Sequence, residues 1–382
     1  MAAQPFSVTV TPEQIADLRQ RLAATRWPDQ LEGTGWDYGT DRSYLQELCR
    51  YWERDYDWDG FLARLNAFPQ FLTEVDGQRL HYYDVPAERP DAPVMMLLHG
   101  WPGSVAELLD LIGPLTAPSR HGADAADAVH VVVPSLPGYG FSGVTTRRGV
   151  DLPTVADLLD ELMKGLGHDS YLVHGGDWGA FLSLHLAARH ADRVRAIHTT
   201  LLPFVPPPRE DRDAGLTDRD RALLERRREF TEHGTGYQAI QSTKPQTLAY
   251  GLTDSPAGLA GWIVEKFHGW TDGGGAPDEA VPRDRMLDDI SVYWLTGTIG
   301  SSMRLYYESI GPGRRGPFPS IEVPLGHASF PGEISSLPRA WAEQAYPVVH
   351  WTELPRGGHF PALEAPDLLV EDLRAFVRTV SR

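Results

Sequence analysis

Asp177 stands among glycines in His174-Gly175-Gly176-Asp177-Trp178-Gly179. An apolar run, 171–173, precedes this stretch, and 180–188 follows with apolar residues at helical spacing. A side chain held between a strand and a helix by such small neighbours is presented on a sharp, strained turn. A carboxylate in that place restricts the chemistry. Attack on an acyl group would give only an anhydride, whereas attack on a saturated carbon gives an ester that water can cleave. Strained or activated carbon electrophiles are therefore the expected substrates. The plainer reading of the same residues is a Gly-rich turn whose Asp caps a helix.

A turn of this kind needs a sheet and covering helices to position it. Apolar runs at 94–98, 131–133, 171–173 and 194–197 alternate with helical patterns at 105–115, 154–166 and 180–188. Such alternation predicts a mostly parallel sheet flanked by helices. Period-two patterns on either side of Asp76-Gly77 predict a hairpin ahead of it. After Pro203, Pro206, Pro207 and Pro208 the alternation stops, and helical stretches follow at 219–233, 255–270 and 284–307. Sheet signals return at 321–323 and 348–354, before a last amphipathic helix at 367–380. Near the N-terminus, Thr11, Pro12 and Gln14 predict a helix opened by a capping box. The fold class expected is α/β, in the form of the α/β-hydrolase fold. It divides into an N-terminal meander (1–70), a core (71–202), an inserted helical cap (203–318) and the rest of the core (319–382).

In that fold the nucleophile is followed along the chain by an acid and then by a histidine on the loop after the last strand. His359, in Gly357-Gly358-His359-Phe360, meets the requirement. The acid is expected on the loop after the penultimate strand, read at 321–323. Glu333 is the choice there, and Glu322, within the strand, is its rival. The acid would orient the imidazole and stabilise its protonated form. His99-Gly100-Trp101-Pro102-Gly103-Ser104 follows strand 94–98, where oxyanion donors belong. Pro102 has no N–H, so the backbone donors would be Trp101 and Trp178, the residue after the nucleophile.

Taken together, His99-Gly-Trp-Pro-Gly-Ser104, Gly175-Gly-Asp-Trp-Gly179 and Gly357-Gly-His-Phe360 resemble the epoxide hydrolases of the microsomal type. The N-terminal segment resembles that family's meander through Pro5-Phe6, Asp17-Leu18, Arg21-Leu22, Tyr56-Asp-Trp58 and Leu65-Asn66 to Phe71. The resemblance implies a substrate site with two cap tyrosines that hydrogen-bond the epoxide oxygen, and the matching contexts mark Tyr237 and Tyr306. Spacing alone does not select them from 14 tyrosines, and Tyr307 adjoins the second. A phenol suits the task, because it can give a proton or hydrogen bond to the oxygen released as the ring opens. Pro361 departs from the family's usual small residue, and the mammalian membrane anchor is missing.

The reading is an epoxide hydrolase with a small-molecule epoxide and water as its partners and no metal or organic cofactor. A haloalkane dehalogenase shares the Asp nucleophile and the following Trp. A catalytically silent binding protein is the rival from another class. The net charge of −17 argues against nucleic acid or an anionic membrane as partner. With Cys49 as the single cysteine, no intramolecular disulfide can form, and the first residues lack the pattern of a secretory signal. A cytoplasmic location is expected, with a homodimer as one option for assembly. Tryptophans and prolines near the cap boundary suit a bulky epoxide, without distinguishing natural-product biosynthesis from detoxification.

Overall fold

The computed structural model describes residues 2–208, 212, 215–314 and 316–381, built on one nine-stranded sheet. Residues 209–211, 213–214 and 315 of the expected cap lie outside the described residues, as do 1 and 382. The strands are β1 (Gln4–Phe6), β2 (Gln70–Val75), β3 (Gln78–Val85), β4 (Val94–Leu98), β5 (His130–Pro134), β6 (Tyr171–Gly175), β7 (Val194–Thr199), β8 (Leu325–Ser329) and β9 (Val348–Glu353). Their spatial order is β1-β2-β3-β5-β4-β6-β7-β8-β9. Antiparallel pairing joins β1, β2, β3 and β5, and every pair beyond β5 is parallel. The parallel strands are covered on both faces, so their apolar runs are continuous rather than alternating, and Met95 to Leu98 are buried throughout.

Local signals act where the sequence puts them. Asp76 and Gly77 both have positive φ, 49° and 76°, as a two-residue hairpin between β2 and β3 requires. The helix Pro12–Ala23 is closed by a reciprocal capping box: Gln14 N–H donates to Thr11 Oγ1 at 3.3 Å, and Thr11 N–H to Gln14 Oε1 at 2.9 Å.

Two expectations need correction, and three elements are additions. The segment 321–323 is not a strand; the penultimate strand is β8, beginning after Pro324. Proline cannot donate to a ladder, and Gly326, His327 and Ser329 give β8 little apolar or β-branched character, so the apolar pair before the proline drew the assignment. The long helix expected over 284–307 is interrupted at Gly297, a left-handed C-cap with φ 64°. It becomes Arg283–Thr296, Ile299–Ser302 and Arg304–Ile310. The helices Gly236–Thr243 and Pro245–Asp254 had no counterpart in the sequence reading, nor had β1.

All these helices lie in the insertion between β7 and β8, and the N-terminal segment holds it. Arg64 forms two hydrogen bonds to Asp288, at 2.8 and 2.6 Å. Tyr56 donates to the same carboxylate at 2.6 Å, and Trp52 Nε1 donates to Ser291 Oγ at 3.0 Å. Asp288 is buried, and partners of this kind are what a buried carboxylate needs. Among the described residues, no helix is long and apolar enough to cross a membrane.

Candidate active site

The turn between β6 and the helix Asp177–Arg189 is as tight as its composition predicts. Asp177 has φ 47°, a left-handed conformation that costs a residue with a Cβ about 1–2 kcal/mol. Glycine is obligatory around it: a Cβ on Gly175 would strike the backbone of Gly179, and one on Gly100 would strike the Asp177 side chain. The strain places the carboxylate at the start of a helix, where free N–H groups and the helix dipole favour an anion.

One Asp177 oxygen, Oδ1, accepts a hydrogen bond from Trp101 N–H at 2.8 Å. The turn carrying Trp101 is braced from both sides. His99 Nε2 accepts from Leu136 N–H at 3.1 Å, and burial depresses its pKa to about 4, so His99 is a neutral strut. From the insertion, Ser104 donates to Asp289 at 2.5 Å and Tyr293 OH to the Gly103 carbonyl at 2.9 Å. Trp178 N–H makes no hydrogen bond to the carboxylate in this structure. It lies at the second position of its helix, where N–H groups have no intrahelical acceptor.

The other oxygen, Oδ2, lies 3.3 Å from His359 Nε2. His359 follows β9, and its Nδ1 is 2.9 Å and 3.1 Å from the two oxygens of Glu333. Glu333 is fully buried, whereas Glu322 is exposed, in the irregular segment 321–324. Burial by itself would lower the His359 pKa. The Glu333 carboxylate, and then Asp177, outweigh it and raise the value to about 10. Two carboxylates thus hold the imidazole as a cation.

Tyr237, on Gly236–Thr243, and Tyr306, on Arg304–Ile310, come together within reach of the Asp177 charge. Their rings are 5.9 Å apart at 80°, and Tyr237 stacks on Trp101 at 5.2 Å and 7°. Trp178 meets Tyr306 edge-on at 4.6 Å. Both tyrosines are buried, while Tyr307 is 37% exposed. Burial first, with the Asp177 charge adding to it, raises both phenol pKa values. Each stays a protonated donor at neutral pH.

Sequence reasoning missed two neighbours. Trp270 sets its ring 4.9 Å from His359 and accepts the His359 N–H on its carbonyl at 2.9 Å. Glu107 lines a small cavity with Asp177 and His359. Neither follows a spacing rule that could have marked it. Among the described residues, two groups could hold a metal ion, Asp84 with His130 and His168, and His198 with His350 and Asp372. Neither includes Asp177, Glu333 or His359.

Comparison with known proteins agrees with this geometry. Residues 3–108 match the family described as "Epoxide hydrolase N terminus", and 93–235 match "alpha/beta hydrolase fold". The chain is 42% identical over 98% of its length to a Stigmatella aurantiaca protein provisionally named an epoxide hydrolase, covering 84% of it. It is 35% identical to epoxide hydrolase 1 of Oryctolagus cuniculus over 99% of this chain and 89% of the relative. The solved structure of Aspergillus niger epoxide hydrolase superposes with a TM-score of 0.89 at 33% identity, over 100% of this chain and 97% of that one. An aspartate in the strained turn, a histidine 3.3 Å from it and a matched N-terminal segment all lead to one assignment: the chain belongs to the epoxide hydrolase family, on the α/β-hydrolase fold.

Proposed function

We propose that this epoxide hydrolase opens its substrate to a vicinal diol through a covalent ester on Asp177. The observation that carries the proposal is the division of labour on one carboxylate: Oδ1 rests on the Trp101 N–H and Oδ2 lies beside His359 Nε2. Asp177 attacks a ring carbon, and the C–O bond breaks as Tyr237 and Tyr306 give a hydrogen bond and a proton to the leaving oxygen. Esterification removes the Asp177 charge, one of the two anions that hold His359 protonated. Its proton then restores the phenol, and His359 becomes a base.

Water next attacks the ester carbonyl carbon and loses a proton to His359. The tetrahedral oxyanion is held by the Trp101 and Trp178 N–H groups. Collapse breaks the bond to the alkyl oxygen, which takes that proton and leaves as diol. The carboxylic acid left on Asp177 returns its own proton to His359. Glu333 orients the imidazole throughout. In this reading 1–70 is the meander, 71–202 and 319–382 are the core, and 203–318 is the cap that supplies the tyrosines.

A single turnover in heavy-oxygen water tests the scheme. The first diol should carry unlabelled oxygen, with the label left in Asp177; label in the first-turnover diol would mean that water opens the ring. Dehalogenation has one observation in its favour, the buried indole N–H groups of Trp101 and Trp178, both without a hydrogen-bond partner. The paired phenols and the family assignment favour the epoxide. A cytoplasmic location rests on the lone, buried Cys49, and sedimentation velocity decides between monomer and homodimer.

A further inference from the structure

The covalent scheme requires a water that reaches the ester carbon while the alkyl group still fills the side from which it came. Beside Asp177 lies the small cavity that Glu107 lines with Asp177, His359 and Gly103. Its walls come wholly from the core, and neither Tyr237 nor Tyr306 reaches it. It leaves water centres about 30 Å³ to occupy, where one water needs about 10–15 Å³. One or two waters fit, and a substrate does not.

Polar atoms converge on this space. His359 is 5% exposed, and its Nε2 has no hydrogen-bond partner despite the nearby Asp177 oxygen. A buried nitrogen in that condition calls for an occupant of the cavity. Glu107 sits on the short 3₁₀ turn Val105–Leu108 that follows the oxyanion turn. Its carboxyl group fills the place a side chain at position 103 would take, since a Cβ on Gly103 would strike it.

We propose that this cavity holds the hydrolytic water and that Glu107 positions it, receiving one of its hydrogen bonds while His359 Nε2 receives the other. A water held by two acceptors has its lone pair left for the ester carbon, so the geometry of attack is set before the bond forms. Burial, then the charges of Asp289 and Asp177, raise the Glu107 pKa well above that of an ordinary carboxyl group, with His359 opposing. Glu107 stands beside the base as the acceptor that fixes the water, whereas His359 takes its proton.

This inference rests on the covalent scheme, and single-turnover kinetics with styrene oxide separate the two. Alkylation and ester hydrolysis are followed by quenching and intact-protein mass measurement. Glu107→Met keeps the bulk and removes the acceptor. It should slow hydrolysis by about 10- to 100-fold, the loss of a hydrogen bond to the reacting water, and build up the ester with alkylation nearly unchanged. Glu107→Gln keeps an acceptor oxygen and should recover most of the rate. Wild-type hydrolysis in Glu107→Met, or equal slowing of both steps, would overturn the role. If Glu107→Met fails to fold, Glu107→Ala carries the same expectation. His359→Gln is the reference: ester in that variant but not in Glu107→Met sinks this inference alone, and ester in neither sinks the covalent scheme with it.

Discussion

The two faces of Asp177 are built from different parts of the chain and in different materials. The front is aromatic, with Tyr237 and Tyr306 supplied by the insertion and packed on Trp101 and Trp178. The rear is a small cavity supplied by the core, where His359, Glu107, His174 and Thr200 are the polar side chains that line it with Asp177. One face suits an apolar epoxide whose oxygen must be protonated; the other suits water and a base. Under the proposed covalent scheme, the contrast teaches that the two half-reactions need not share a site. Each can then be damaged without the other.

The sharpest break of the comparison is at the front. Tyr237→Phe or Tyr306→Phe should slow alkylation by the general-acid factor of about 10²–10⁴, less where the partner phenol compensates. The double variant should lose nearly all ring opening, with non-additive losses because both act on one oxygen. Rapid-mixing measurement of alkylation, with circular dichroism as the folding control, checks this. Full alkylation in the double variant would remove the tyrosines from the mechanism.

At the rear, His359→Gln should leave alkylation largely intact and slow ester hydrolysis by about 10²–10⁴-fold, the contribution of a general base. The ester should accumulate to a mass visible in the intact protein. If alkylation fails instead, the faces are not independent.

Glu333→Gln should slow the same hydrolytic step less, because it orients the base without replacing it. It also carries a pH signature. The folded His359 pKa is raised to about 10, above the unfolded value of about 6.5. The stability this provides is therefore complete below about pH 6.5 and is lost as pH rises toward 10. Urea unfolding across that window should show wild type losing stability and Glu333→Gln losing less. Parallel curves would mean that Glu333 does not hold the proton on His359.

The smallest effect is a control away from both faces. Thr11→Ala removes half of the capping box and should cost about 1 kcal/mol in unfolding free energy. Both half-reactions should keep their rates.

The same contrast governs what could be read from residues alone. Asp177, His359 and Glu333 sit on loops of a parallel sheet, where strand order dictates which loop can supply which group. That logic survived the misplaced strand at 321–323, because Glu333 follows either version of it. Tyr237 and Tyr306 lie on short helices broken at Lys244-Pro245 and Gly297. Apolar periodicity there is too short to place a face, so only family resemblance singled them out. Glu107 gave no signal, since a carboxylate on a single 3₁₀ turn looks like any surface acid until the chain folds around it.

The clasp between Arg64 and Asp288 bears on how such an enzyme could be re-engineered by recombination. Its partners are 224 residues apart along the chain, and the companion contacts of Tyr56 and Trp52 span similar gaps. A chimera that takes its insertion from one relative and its first 70 residues from another would pair a buried carboxylate with a foreign surface. Left with only Arg285 of its own insertion, at 3.5 Å, that charge would be poorly paired, at a cost of up to several kcal/mol. The unit of exchange is consequently discontinuous: grafting a new front onto this core means transplanting the beginning of the polypeptide along with its middle.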